Sequence, residues 1–171
     1  ELVIFRIGGS DIMNILVTGA KGMVGTALVN NLKNIRDGKN RTRNIEINEI
    51  YEYDLDSTEA ELDEYCAKAD FVFNLAGVNR PENSEDFMKG NFGFASQLLD
   101  TLKKHNNKAG IMLSSSVQAT LAGRFGNSEY GRSKKAGEEL FFEYGKETLW
   151  CDRWLKSYCS NWYRYDAYGS K

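Results

Sequence analysis

The architecture of this chain follows from eight residues near its start, Thr18-Gly19-Ala20-Lys21-Gly22-Met23-Val24-Gly25. A short apolar strand pattern precedes them and a helical pattern follows, so three glycines with the spacing G-x-x-G-x-x-G join a strand to a helix. At such a junction the first glycine permits a tight turn and the second lets the backbone approach a pyrophosphate. The third lets the helix pack against the strand, and the first helical turn offers unpaired N–H groups to phosphates. The pattern predicts a dinucleotide-binding turn rather than a glycine-rich connection.

Strand and helix patterns alternate along the chain beyond this turn. Helical patterns cover residues 23–34, 58–68, 91–104 and 129–144, and strand patterns end near residue 54 and cover 71–76 and 111–114. Thr58 and Glu61 have the spacing of a capping box. The continuous apolar run at 71–76 is typical of a strand covered on both faces. We therefore predict an α/β fold, a Rossmann-type doubly wound parallel sheet with helices on both faces.

The overall composition excludes several classes of function. With 22 basic and 24 acidic residues, the chain has no charge excess that would favour nucleic acid or an anionic membrane. No apolar run approaches the roughly 20 residues of a membrane span. The three cysteines, Cys66, Cys151 and Cys159, have neither metal-ligand nor disulfide spacing, so we expect reduced thiols, no metal site and a cytoplasmic protein. We expect His105, in a polar stretch, to lie at a solvated helix end.

The composition also predicts three regions. Met13 directly precedes the first strand pattern, and Gly8-Gly9-Ser10 lies just upstream of it, so we expect residues 1–12 to be a non-native extension. Residues 13–148 carry the alternating pattern and form the predicted dinucleotide-binding domain. Residues 149–171 hold all three tryptophans and show no strand pattern, which indicates an atypical aromatic-rich tail.

A second motif indicates catalysis. Tyr130-Gly131-Arg132-Ser133-Lys134 has the pattern Y-x-x-x-K, which places the tyrosine and the lysine on one helical face. A nearby ammonium favours the phenolate, so such a tyrosine could exchange a proton with a sugar hydroxyl or carbonyl. The run Ser114-Ser115-Ser116 ends the preceding strand, where a hydroxyl could polarise the same oxygen. The order of the motifs favours a catalytic set over a surface helix pair.

Three charged residues leave the choice of cofactor open. Asp54 and Asp56 follow the second strand, about 30 positions after the last glycine of the turn, and they could contact ribose or adenine or cap the following helix. Lys21, inside the glycine turn, is either a partner for a 2′-phosphate or an exposed lysine.

These motifs together resemble the extended short-chain dehydrogenase/reductases. The family has T-G-x-x-G-x-x-G, a D-x-V-x-H-L-A-type strand, an N-x-x-G helix start, a serine-containing strand end and Y-x-x-x-K. The corresponding stretches here are Thr18 to Gly25, Asp70 to Ala76 with Asn74 where histidine is usual, Asn91 to Phe94, Ser114 to Ser116, and Tyr130 to Lys134. The resemblance covers about Met13 to Thr148.

The resemblance implies specific residue roles. Ser116, Tyr130 and Lys134 would form the catalytic set. The residues expected to bind or line the cofactor are Thr18, Gly19, Lys21, Gly22, Met23, Val24, Gly25, Asp54, Leu55, Leu75, Ala76, Gly77, Asn91, Ser114, Tyr130 and Lys134.

Within this family, Asn74 to Pro81 and Ser114 to Ala119 look most like the capsular-polysaccharide reductases. Those enzymes reduce a UDP-linked 2-acetamido-2,6-dideoxy-hexulose at C4 with NADPH. The resemblance therefore implies NADP(H) as the favoured cofactor, with NAD(H) possible, a UDP-sugar substrate and a homodimeric parent protein.

The chain also departs from the family. Members continue after the Tyr/Lys helix with an R-x-P-N-x-x-G segment that begins the substrate lobe, whereas the only proline here is Pro81. We therefore expect a truncated or frameshifted form that lacks the C-terminal substrate lobe and does not turn over a nucleotide sugar.

Two alternatives remain to a reductase. One is a nucleotide-sugar epimerase or 4,6-dehydratase, although dehydratases usually place an Asp-Glu pair after the active-site hydroxyl and Val117-Gln118 stand here. The other is a non-catalytic dinucleotide-binding module.

Overall fold

The computed structural model describes residues 12–42, 45–78 and 81–147. Nearly all of the predicted extension, the whole of the predicted aromatic tail, and therefore Cys151 and Cys159 lie outside the described residues.

The described residues form a four-stranded parallel sheet with helices on both faces, as predicted. The strands are β1 (Met13–Thr18), β2 (Ile47–Tyr53), β3 (Phe71–Asn74) and β4 (Gly110–Leu113), in the order β2-β1-β3-β4. The helices are α1 (Met23–Arg36), α2 (Glu59–Lys68), α3 (Glu85–Phe87), α4 (Phe94–Lys104) and α5 (Glu129–Glu147), with a π-helical turn, Met88–Gly93, between α3 and α4.

Two hydrophobic clusters cover the two faces of the sheet, because alternate residues of a strand point to opposite sides. On one face, Ile15 and Val17 of β1 pack with Val29 and Leu32 of α1. On the other face Leu16 packs with buried residues of β3, α2, α4 and α5, namely Val72, Leu62, Cys66, Leu98, Leu99, Leu102 and Tyr144. The sheet is therefore buried on both sides at β1.

Several local predictions are confirmed. Thr58 caps α2 by accepting a hydrogen bond from the Glu61 backbone N–H, and the Glu61 side chain accepts one from the Thr58 N–H, which completes the capping box. His105 lies at a helix end as predicted, since it is the C-cap of α4, but its ring is only 25% exposed and its Nε2 lies 3.0 Å from Oδ1 of Asp63. Besides these predictions, the structure places Cys66 in the core as a free thiol.

Two boundaries differ from the prediction. The strand expected to reach Ala76 ends at Asn74, because Leu75 N–H still bonds to the Thr18 carbonyl while Ala76 N–H bonds to the Thr18 hydroxyl instead. The helix expected to begin at Asn91 begins earlier, with α3 and the π-helical turn. A pattern with a period of 3.6 residues does not describe a π-helical turn, and Gly90 lowers helix propensity there.

The carboxyl ends of the strands meet at one edge of the sheet. Thr18 of β1 lies opposite Tyr53 of β2 and Asn74 of β3, and Asn74 lies opposite Leu113 of β4. In open α/β sheets, ligands bind outside this edge. None of the helices in the described ranges is both long enough and apolar enough to span a bilayer.

A matched pair of substitutions tests the core. Leu98 is completely buried, whereas Leu55 is completely exposed. We expect Leu98→Ala to lower the free energy of unfolding by about 2–5 kcal/mol, because it removes buried methyl groups and leaves a cavity. Leu55→Ala should change the same quantity by less than about 0.5 kcal/mol. Urea unfolding followed by circular dichroism measures both, and equal losses would contradict the assignment of the core.

Candidate active site

The glycine turn lies against the ends of both neighbouring strands. Gly19 has a φ of 71°, which glycine adopts without strain, and its N–H donates to the Tyr53 carbonyl over 2.9 Å. A Cβ on Gly19 would lie 2.8 Å from the backbone nitrogen of Ala76. A Cβ on Gly25 would lie 2.0 Å from the carbonyl oxygen of Gly19. The first and third glycines are thus required by backbone contacts, as the sequence predicted.

The start of α1 is open to a ligand. Gly22 is the N-cap, no acidic residue lies in the first turn, and the Met23 and Val24 side chains are exposed. Backbone N–H groups and the positive end of the helix dipole therefore face solvent where the motif places phosphates.

The acidic residues after β2 hold the glycine turn rather than α2. The Asp54 carboxylate accepts hydrogen bonds from the backbone N–H groups of Lys21, at 2.7 Å, and Leu55, at 2.8 Å. Asp56 forms an ion pair with the Lys21 ammonium. The hydrogen bond and charge of Asp56 raise the pKa of Lys21, and the ammonium lowers the pKa of Asp56. Because Thr58 caps α2, the helix-capping interpretation of these aspartates is wrong.

Thr18 and Asn74 form a buried polar pair at the carboxyl ends of β1 and β3. The Thr18 hydroxyl donates to Oδ1 of Asn74 over 2.6 Å, and it accepts a longer bond, 3.4 Å, from Ala76 N–H. Both side chains are almost fully buried. Asn74 stands where the resembling family usually has histidine, and the structure gives it this bonding role. Leu75, Ala76 and Gly77 follow Asn74 directly, beyond the end of β3.

Asn91 binds the backbone of Val78, the residue after Gly77, to the π-helical turn between α3 and α4. Its Oδ1 accepts from Val78 N–H and its Nδ2 donates to the Val78 carbonyl, both over 2.9 Å. The Asn91 side chain thus both donates a hydrogen bond to the Val78 backbone and accepts one from it. Gly77 lies close to both Asn91 and Lys134, since a Cβ on it would be 2.6 Å from Asn91 Oδ1 and 2.9 Å from Lys134 Nζ.

Tyr130 and Lys134 lie on the same face of α5, as predicted. The Lys134 ammonium is 5.8 Å from the centre of the Tyr130 ring and donates to the Ser114 carbonyl over 3.3 Å. Burial lowers the pKa of Lys134, and the charge of Glu138 opposes this effect. The Tyr130 ring also packs against Phe87 of α3, with ring centres 5.6 Å apart.

The three serines after β4 have different roles in the structure. Ser114 offers its carbonyl to Lys134, and the Ser115 hydroxyl donates to the Glu138 carboxylate. Ser116 is the N-cap of a 3₁₀ turn, Val117–Thr120, and its hydroxyl accepts a 3.3 Å bond from Gln118 N–H. The hydroxyl of Ser116 retains its proton for donation to another acceptor.

The structure therefore joins most of the predicted site residues in two groups. One group surrounds the glycine turn, with Asp54 and Lys21 attached to it, and the other joins Gly77, Asn91, Ser114, Tyr130 and Lys134. Leu55 is fully exposed beyond the first group. Sequence reasoning missed Phe87, Ser133 and Glu138, because only a tertiary contact distinguishes each from an ordinary helix residue.

Known proteins match nearly the whole described region. The model of the NAD dependent epimerase/dehydratase family matches residues 15–152, which include every predicted site residue. A UDP-2-acetamido-2,6-beta-L-arabino-hexul-4-ose reductase of Pseudomonas aeruginosa is 35% identical over 135 residues, covering 79% of this chain and 32% of the relative.

Solved structures agree with this match. The capsular polysaccharide assembling protein CapF from Staphylococcus aureus is 40% identical with a TM-score of 0.60, over 80% of this chain and 33% of that protein. UDP-glucuronic acid 4-epimerase from Bacillus cereus, in complex with NAD, has a TM-score of 0.61 at 20% identity, over 80% and 54% of the two chains, which shows a shared fold. This chain spans about a third of the length of the reductase and of CapF.

The contact between Gly25 and the turn can be tested with two glycines. Gly25→Ala would force a Cβ into the backbone of Gly19 and Ala20, so we expect it to lower the free energy of unfolding by about 1–3 kcal/mol. Gly137→Ala in α5 meets nothing within 4 Å and should be neutral or stabilise the helix by up to about 1 kcal/mol. Denaturant unfolding compares them, and equal stability of the two variants would contradict the packing described.

Proposed function

Because this chain belongs to the NAD dependent epimerase/dehydratase family, we propose that it is the cofactor-binding and proton-transferring part of an NAD(P)-dependent reductase of a UDP-linked keto sugar. The observation that carries the proposal is the position of Lys134. Its ammonium contacts the Ser114 carbonyl, lies beside the Tyr130 ring and adjoins Gly77, at the carboxyl ends of β3 and β4.

The residues of the site fit a nicotinamide dinucleotide. The glycine turn and the first turn of α1 would hold the pyrophosphate, and the segment from Leu75 to Gly77 would line the nicotinamide half. The missing Cβ of Gly77 is what lets Lys134 and Asn91 come close to this segment. When bound, the nicotinamide supplies the hydride that reduces the sugar carbonyl.

The remaining chemistry is a proton transfer by the side chains of α5 and the serine segment. Tyr130 would give its phenolic proton to the carbonyl oxygen as negative charge develops there. The Lys134 ammonium would stabilise the phenolate that remains. The Ser116 hydroxyl would donate a hydrogen bond to the same oxygen.

The relatives support the choice of substrate class. The Pseudomonas protein is named a UDP-2-acetamido-2,6-beta-L-arabino-hexul-4-ose reductase, and CapF is named a capsular polysaccharide assembling protein. We accordingly propose a substrate of this type and a role in surface polysaccharide synthesis. The resemblance also supports a homodimer. We also propose a cytoplasmic location, in which Cys66 would remain a free thiol.

We propose NADP(H) as the preferred cofactor, on account of Lys21. Its ammonium is exposed and pairs with Asp56, so a 2′-phosphate could replace that carboxylate at small cost. Lys21→Met should weaken NADPH binding and leave NADH binding nearly unchanged. Asp56→Asn should strengthen NADPH binding by up to about fivefold, since it removes a competing charge. Fluorescence titration of both reduced cofactors measures this, and tighter NADH than NADPH binding by the unsubstituted chain would reject the preference.

Tyr130→Phe tests the proton transfer. In a chimera that joins residues 1–147 to the remaining part of the CapF protein, turnover should fall about a hundredfold to ten-thousandfold, because the proton donor is lost. NADPH affinity should stay within about twofold. Lys134→Ala should reduce both turnover and affinity. Tyr144→Phe is the matched control, since its hydroxyl bonds to the Asn107 carbonyl and takes no part in the proposed chemistry. An active Tyr130→Phe chimera would overturn the assignment.

A further inference from the structure

Ser133 lies between the tyrosine and the lysine of the Y-x-x-x-K motif and is completely buried. We propose that Ser133 is a positioning residue, whose hydroxyl joins the Asn91 amide to the backbone of Tyr130 and so holds the proton donor in register with the segment that lines the nicotinamide. This inference rests on the proposed function, because it concerns the geometry of that same site.

A continuous series of hydrogen bonds carries the proposal. The Ser133 hydroxyl accepts from Asn91 Nδ2 over 2.9 Å and donates to the Tyr130 carbonyl over 2.8 Å. The same Asn91 amide bonds to both backbone groups of Val78, each over 2.9 Å. The series runs from the residue after Gly77 to the residue that would give the proton, across 42 positions of sequence between Asn91 and Ser133.

Serine suits this position because its hydroxyl donates and accepts at once. A helical serine often bonds only to a carbonyl of its own helix, three or four residues back. Ser133 makes that bond and also accepts from a different segment, so it links the two. In the described parts of the chain, no buried side-chain nitrogen or oxygen lacks a partner. Removing this hydroxyl would therefore leave one Asn91 N–H without its partner in a buried place.

A second contact holds Tyr130 from the same segment. Phe87, four residues before Asn91, packs its ring against the Tyr130 ring. The segment of α3 and the π-helical turn therefore contacts Tyr130 in two ways. Phe87 packs against its ring, and Asn91 reaches its backbone carbonyl through the Ser133 hydroxyl. The two contacts hold the backbone of Tyr130 and its ring from the same segment of chain.

The test compares two ligands that occupy different parts of the site. In the proposed binding mode NADPH would reach from the glycine turn to Lys134, whereas adenosine 2′,5′-bisphosphate would fill only the adenine end. In Ser133→Ala we expect NADPH affinity to fall about two- to tenfold, while the bisphosphate binds as to the unsubstituted chain. The fluorescence lifetime of bound NADPH should also shorten, because the nicotinamide is less firmly held. Ser96→Ala, which removes a hydroxyl that bonds to Asp100 on α4, is the matched control and should change none of these values.

Each alternative outcome contradicts a different statement. Equal losses for NADPH and the bisphosphate, with a lower melting temperature, would show that Ser133 only supports the fold. Unchanged NADPH affinity and lifetime in Ser133→Ala would overturn the positioning role while leaving the proposed function intact. An unsubstituted chain that is folded by circular dichroism yet binds neither ligand would overturn the proposed function and this inference with it.

Discussion

The site depends on a close contact between the backbone of Gly19 and the backbone of Ala76, which leaves no room for a side chain at residue 19. A Cβ on Gly19 would lie 2.8 Å from the Ala76 nitrogen, so the end of β1 and the segment after β3 touch backbone to backbone. On the other side, the N–H groups of Gly19 and Ala20 both donate to the Tyr53 carbonyl at the end of β2. The turn is therefore fixed to both neighbouring strands before α1 begins. The direction of α1, and with it the exposed N–H groups of its first turn, follows from these contacts.

Patterns within short stretches were sufficient to predict most of the fold. The strand at β1, the glycine turn and the capping box of Thr58 each depend on residues within a few positions of one another, so their spacing in the sequence carries the information. The Y-x-x-x-K pair was predictable for the same reason, because one helical turn joins the two residues.

The features that sequence reasoning missed depend on distances across the fold. The bond from Asp54 to the Lys21 backbone spans 33 positions, and the bond from Asn91 to Ser133 spans 42. Before the strand register is known, Asp54 fits a ribose contact and a helix cap equally well. The π-helical turn was also missed, since its extra residue shifts the helical period that the prediction relied on.

The buried polar groups on either side of residues 75–78 explain how that segment is held. On the sheet side, the Thr18 hydroxyl bonds to Asn74 and to Ala76 N–H, and on the helix side Asn91 bonds to both backbone groups of Val78. Neither anchor uses a side chain of the four residues themselves. The side chains of these four residues take no part in the bonds, and the absence of a side chain at Gly77 makes room for the Lys134 ammonium. The backbone of residues 75–78 is thus held at both ends by neighbouring side chains, and the absence of a Cβ at Gly77 leaves space beside Lys134 in which a nicotinamide ring could lie.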